Sequence, residues 1–145
     1  MKIIIGSDHA AFDAKTNVIA FVRELGHAVT DAGPRTTESC DYPDFAQAVC
    51  DGISDGTHDC GLLLCGTGIG MSIAANKRRG IRAALCRTIL DARFARAHND
   101  ANVLCLGARM VGDELIKEMT REFLQTGFDG GRHARRLAKI ENLED

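Results

Sequence analysis

Five short apolar runs recur along this chain at residues 2–5, 27–31, 61–64, 81–86 and 103–106, and helix-patterned segments fill the intervals between them. A strand with one wet face alternates apolar and polar residues. Runs such as Ile3-Ile4-Ile5 and Leu62-Leu63-Leu64 do not, so both faces must be covered. Short strands of this kind, separated by helices, specify a parallel sheet with helices on both sides.

The intervening segments read as helices over 8–26, 44–53, 69–78, 90–98 and 113–125. Phe12, Val18, Ile19, Val22 and Leu25 make one apolar stripe, and Leu115, Ile116, Met119, Phe123 and Leu124 make another. Gly26 is a helix stop, residues 33–42 form a loop, and a break at 127–131 precedes a basic helical piece over 132–143. The expected architecture is a single α/β domain over 1–145. It is a three-layer α/β/α fold with a five-stranded parallel Rossmann-like sheet and a C-terminal helix.

Composition narrows the function. The net charge is −2, 5% of residues are aromatic and tryptophan is absent, which argues against a nucleic-acid partner held by bulk charge or base stacking. No run approaches a membrane span and residues 1–10 are too short for a secretion signal, so the expected location is cytoplasmic, with no membrane partner. The six cysteines (Cys40, Cys50, Cys60, Cys65, Cys86, Cys105) include no Cys-x-x-Cys pair and are joined by no His-x-x-x-His. Reduced thiols without a bound metal are expected.

Cys65 stands apart from the other five. It ends the run Leu62-Leu63-Leu64 and opens the glycine-spaced turn Gly66-Thr67-Gly68-Ile69-Gly70, which leads into a helix. Strand, glycine turn and helix aim backbone N–H groups and a helix dipole at an anion. A thiol beside such a terminus can become a base or a nucleophile. The turn is not a nucleotide phosphate loop, because Met71 and Ser72 follow Gly70 where lysine and a hydroxyl would stand. Nor is it a dinucleotide fingerprint, since the glycine spacing differs and the next strand ends at Cys86-Arg87 with no acid for a ribose.

Ligands of open parallel sheets bind beyond the carboxyl ends of the strands. That rule brings Asp8, His9, Cys65 and Arg109 to one rim. Each has a plainer role as well. Asp8 suits a helix N-cap, His98 a helix C-terminus, and Arg132 with Arg136, one turn apart and flanking His133, a solvated basic face. His27 and His58 read as structural.

Taken together the motifs resemble the ribose-5-phosphate isomerase B family, within the ribose/galactose sugar-phosphate isomerases. The match runs through Ser7-Asp8-His9-Ala10, Asp41-Tyr42-Pro43, the stretch from Cys65 to Lys77, Gly80-Ile81-Arg82-Ala83, His98 to Val103 and Gly130-Gly131-Arg132-His133. Ala11 and Asp129 depart from the family pattern, which often has glycine and glutamate there. The resemblance implies an aldose–ketose isomerase that works through a cis-enediolate, without cofactor or metal, on ribose 5-phosphate and ribulose 5-phosphate. It implies Cys65 as the base, Thr67 and His98 assisting ring opening, and Asp8 nearby. It further implies that the N–H groups of Gly66, Gly68, Ile69 and Gly70 hold the enediolate. His9, Arg109, Arg132 and Arg136 would bind phosphate with His133 beside them, while Tyr42 and Asn99 meet sugar hydroxyls. Homodimers or dimers of dimers with sites at the subunit interface are implied too. Tetrose 4-phosphates and hexose 6-phosphates of the allose or galactose type are the neighbouring alternatives. A non-catalytic nucleotide- or phosphate-binding regulator of flavodoxin-like shape is the distant one.

Overall fold

The apolar runs pair as one parallel sheet in the computed structural model, which describes residues 1–143. The strands are β1 (Lys2–Ser7), β2 (Ala28–Gly33), β3 (Cys60–Cys65), β4 (Ala83–Leu85) and β5 (Val103–Gly107), in the order β2-β1-β3-β5-β4. Every pairing is parallel. The helices are α1 (Phe12–Glu24), α2 (Tyr42–Ser54), α3 (Ile69–Ala75), α4 (Ile89–Asn99), α5 (Asp113–Gln125) and α6 (Arg132–Glu141). A single 3-10 turn, His9–Ala11, precedes α1.

Successive side chains of β1 and β3 feed two different cores. Ile3, Ile5, Leu62 and Leu64 pack with Val18 and Val22 of α1, Ala92 of α4 and Ile116 and Phe123 of α5. Ile4, Leu63 and Cys65 pack on the opposite face with Val49 of α2 and Met71 of α3. Both faces are therefore covered, which is why these strands carry no polar alternation. No helix among the described residues is long and apolar enough to cross a membrane.

Several boundaries differ from the expected ones, each for a local reason. α2 starts at Tyr42 rather than at residue 44, because Pro43 fits the first helical turn, where an N–H would have no partner. α3 stops at Ala75 instead of continuing to 78. Asn76 turns its amide toward β4, donating to the Ser72 and Ala83 carbonyls at 2.9 and 2.8 Å and accepting the Ala83 N–H at 2.9 Å. β4 is shorter than the apolar run 81–86, since Asn102 takes up the Arg82 N–H and the Gly80 carbonyl at 2.8 Å each. α6 ends at Glu141, two residues before the expected limit.

Buried Lys15 ties α1 to the end of β2. Its ammonium donates to Asp31 and to the Pro34 carbonyl, both at 2.7 Å. Desolvation pushes the Asp31 carboxyl up, but hydrogen bonds from Lys15 and the Gly33 N–H, with the charges of Lys15 and Arg35, outweigh it and hold the group below its ordinary value.

Candidate active site

The chain leaves β1 toward β2 on one side and β3 toward β4 on the other, so the direction of winding switches between β1 and β3. At such a point the loops part and leave a crevice over the strand ends. Two of the loops that flank it are Ser7-Asp8-His9 and Cys65-Gly66-Thr67.

Cys65 is the last residue of β3 and only 5% exposed. Its sulfur accepts the Gly68 N–H at 3.0 Å, an acceptor's role. The sulfurs of Cys50 and Cys86 instead donate to carbonyls, and burial pushes their thiols up to about 11 and about 12. Burial likewise pushes Cys60 up to about 12 and Cys105 well above its ordinary value. Gly68 allows this arrangement. It caps α3 with φ +78°, and a Cβ there would lie 2.6 Å from the Leu85 Cδ1 and 2.9 Å from the Leu106 carbonyl carbon.

Other rim groups close around the turn. The Thr67 hydroxyl accepts the Ile69 N–H at 3.2 Å, which leaves its own hydrogen free to donate outward. The Tyr42 ring lies against Gly70, so close that a Cβ there would be 2.6 Å from its Cζ. Arg109 donates its backbone N–H to the Gly66 carbonyl at 3.0 Å, and its side chain lies over Gly66. Asp8 caps the 3-10 turn, its Oδ1 accepting the Ala10 and Ala11 N–H groups at 2.9 and 3.2 Å. The same turn presents His9, whose Nδ1 accepts the Cys40 N–H at 3.2 Å. That pairing leaves Nε2 as the protonated nitrogen of the neutral ring.

The remaining expected residues lie elsewhere. α4 runs antiparallel to the strands, so its C-terminal end comes down at the strands' amino ends. There the Asn102 carbonyl accepts the Gly61 N–H at 2.9 Å, and Arg82 donates to the Asp100 carbonyl at 3.0 Å. His98 and Asn99 are therefore a strand's length from Cys65, five steps of about 3.3 Å or about 16 Å. α6 joins them at that end. The Asp129 N–H donates to the Ala97 carbonyl at 2.9 Å, and the His133 ring stacks on His98 with centroids 4.3 Å apart and 7° between planes. Arg132 and Arg136, both exposed, follow on α6. Desolvation, together with the charges of His98, Arg132 and Arg136, holds His133 below its ordinary value, with Asp129 pulling the other way. Within one chain the expected constellation is thus split. Asp8, His9, Tyr42, Cys65, Thr67 and Arg109 gather at one end of the sheet, and His98, Asn99, Arg132, His133 and Arg136 at the other.

Ligand atoms of His98, Asp129 and His133 lie within 4.8 Å of one another, a spacing that invites a metal reading. The rings do not support it. Imidazole lone pairs lie in the ring plane, so two nearly parallel rings direct them side by side instead of onto one ion. Sequence reasoning passed over two neighbours of these clusters. Cys40 holds His9 through its backbone N–H. Phe94 covers the face of His98, with centroids 4.7 Å apart; its i,i+4 spacing to His98 was the available signal.

An all-parallel sheet with a thiol, a glycine turn and an arginine over its switch point defines an α/β protein whose candidate site lies beyond the carboxyl ends of its strands. Residues 3–140 match the family model described as Ribose/Galactose Isomerase. The ribose-5-phosphate isomerase B of Escherichia coli is 43% identical over 99% of this chain and 96% of its own length. The D-erythrulose-4-phosphate isomerase of Pectobacterium atrosepticum is 45% identical over 99% of this chain and 95% of its own. The solved ribose-5-phosphate isomerase B of Clostridium thermocellum superimposes with a TM-score of 0.98 at 47% identity, covering 99% of this chain and 97% of that one. The chain belongs to the ribose/galactose isomerase family, and it is an isomerase acting as an intramolecular oxidoreductase.

Proposed function

We propose that this enzyme interconverts ribose 5-phosphate and ribulose 5-phosphate through a cis-enediolate, with Cys65 as the base. The observation that carries the reading is the Cys65 sulfur accepting the Gly68 N–H at the lip of the glycine turn. A sulfur held there faces a substrate whose oxygens lie against the N–H groups of Gly66 and Gly70. Those of Gly68 and Ile69, also expected to hold the enediolate, are taken up by the Cys65 sulfur and the Thr67 hydroxyl. Cys65 removes the proton from C2 of the open aldose, and the C–H electrons form the C1–C2 double bond. Negative charge gathers on O1 and is met by the turn's N–H dipoles, as in an oxyanion hole. The O2 proton passes to O1, the double-bond electrons take the proton back from Cys65 at C1, and the C2 carbonyl forms.

Ribose 5-phosphate enters as a ring, which must open first. The C1–O4 bond breaks, O1 gives up a proton and O4 gains one. Thr67 and His98 assist this exchange, and the Asp8 cap holds the neighbouring His9 in place. His9 and Arg109 bind the phosphate from one side, with Arg132, His133 and Arg136 from the other, while Tyr42 and Asn99 meet hydroxyls. No metal takes part.

Because the two clusters sit at opposite ends of one sheet, the complete site requires two copies. In a two-fold dimer the rim of each copy meets the His98 end of its partner, forming two equal sites. The exposed apolar side chains Ile69 and Ile73 on α3, and Leu90 on α4, suit such a contact. A second reading, tetrose 4-phosphate as substrate, is favoured by the 45% identity to D-erythrulose-4-phosphate isomerase.

Cys65→Ala is expected to lower kcat by about 10²–10⁴ while the protein stays folded, and near-normal turnover would refute the base. Mixing inactive Cys65→Ala and His98→Asn subunits tests the shared site. Random reassortment makes half the dimers mixed, each with one intact site, so about a quarter of wild-type activity should return. If none returned after exchange, the two-copy site would be wrong. Relative kcat/KM for ribose 5-phosphate and erythrose 4-phosphate decides the sugar.

A further inference from the structure

The geometry points to Phe94 as a positioning residue that fixes the ring of His98 for opening the sugar ring, an inference that rests on the proposed role of His98. Three rings are stacked in a row. Phe94 lies on one face of His98 with centroids 4.7 Å apart and 17° between planes, and His133 lies on the other at 4.3 Å and 7°. Phe94 and His98 are four residues apart on α4 and so share a face of the helix. Nothing in the core needs Phe94, which is 45% exposed.

The stack matters because the χ2 torsion of histidine is broad and nearly two-fold. A ring walled on one face only can turn, and its nitrogens then swing away from any fixed point. Walled on both faces, the ring keeps its plane. Its nitrogens, which lie in that plane, keep a constant direction toward O1 and O4 of a sugar held by the other subunit's rim. The His98 backbone is held separately. Arg82 and Arg96 pair with Asp100, the residue with φ +42° that ends α4. Backbone clamp and ring stack thus constrain different torsions of the same side chain.

A ring pair of this geometry is worth a factor of about two to ten in the population of the aligned ring. Ring opening is needed only for the closed aldose. Ribulose 5-phosphate has its carbonyl at C2 and its O5 esterified, so it closes no five-membered ring. Exchange of its C1 hydrogen with deuterated water needs Cys65 but no ring opening.

Phe94→Leu in the full-length protein should lower kcat for ribose 5-phosphate about two- to tenfold. KM and the C1 exchange rate of ribulose 5-phosphate should both stay within about twofold. Phe94→Tyr, which keeps the ring, should restore kcat. The His98 Hε1 resonance should lose part of its ring-current shift in the leucine variant and keep it in the tyrosine variant. The proposal is overturned by unchanged aldose turnover in Phe94→Leu, by exchange falling in step with kcat, or by a tyrosine variant as slow as the leucine one. His98→Asn judges the underlying reading alone, since aldose turnover at the wild-type rate there would remove the ring-opening role whatever Phe94 does to the resonance.

Discussion

Gly68→Ala attacks the turn at the point where conformation and space are both used up. The φ of +78° belongs to the left-handed region, which costs an L-residue about 1–2 kcal/mol. The added methyl would also meet the Leu106 carbonyl carbon at 2.9 Å, where ordinary contact begins at 3.4 Å, so about 0.5 Å must be found against the backbone of a central strand. The Leu85 methyl at 2.6 Å can swing aside more cheaply, because it ends a flexible side chain. Overpacking of this kind costs about 1–3 kcal/mol, which brings the total to about 2–5 kcal/mol. For a chain of this size each kcal/mol moves the midpoint by roughly 3 °C, so thermal unfolding should fall by about 6–15 °C. What strain the turn relieves by moving would draw the Gly68 N–H off the Cys65 sulfur, so kcat should drop as well, while phosphate-dependent binding persists. Scanning calorimetry and steady-state turnover on one preparation decide the matter. A variant with the wild-type midpoint and kcat would refute the claim that the turn is held by close contact.

Thr120→Val should stabilise the protein by about 1 kcal/mol, because the fully buried Thr120 hydroxyl is the one buried side-chain polar atom among the described residues without a partner; a lower urea midpoint would contradict this. Asp31 has a folded pKa below its unfolded value, so its contribution is complete above about pH 4 and is lost as pH falls through the folded value. Asp31→Asn should therefore be the less stable protein at pH 7, with the gap narrowing below about pH 4, and a gap constant from pH 7 to pH 3 would reject the linkage. Turnover should survive exhaustive chelation, since the parallel His98 and His133 rings offer no convergent ligand set; activity lost to chelator and restored by a divalent ion would overturn the metal-free mechanism.

The strands could be read because each is buried on both faces, and continuous runs such as residues 3–5 leave little else to be. α5 matched its expected limits, Asp113–Gln125, because its stripe is regular and a glycine stands just before it. Boundaries failed where a side chain did the work of backbone, as Asn76 does in ending α3, for no propensity records such a bond. The rim was legible from a rule about strand ends. The separation of His98 from Cys65 was not, since it follows from which end of the sheet α4 descends to. The strand order was equally hidden, because β5 inserts between β3 and β4 and short connections alone do not select that arrangement. Ring stacking was harder still, needing the meeting of α4 with a helix more than thirty residues later in the chain.

The side-chain bridge of Asn76 also bears on how copies of this protein can join. β4 is an edge strand, and its outward-facing N–H and C=O at Ala83 are the groups onto which a stray strand would zip. Asn76 already fills them with one amide, a counterfeit strand one residue wide. A second chain cannot lengthen the sheet there without first evicting it. At this edge association is thereby steered away from edge-to-edge growth, which has no natural end, and toward helix faces, where a two-fold contact closes on itself.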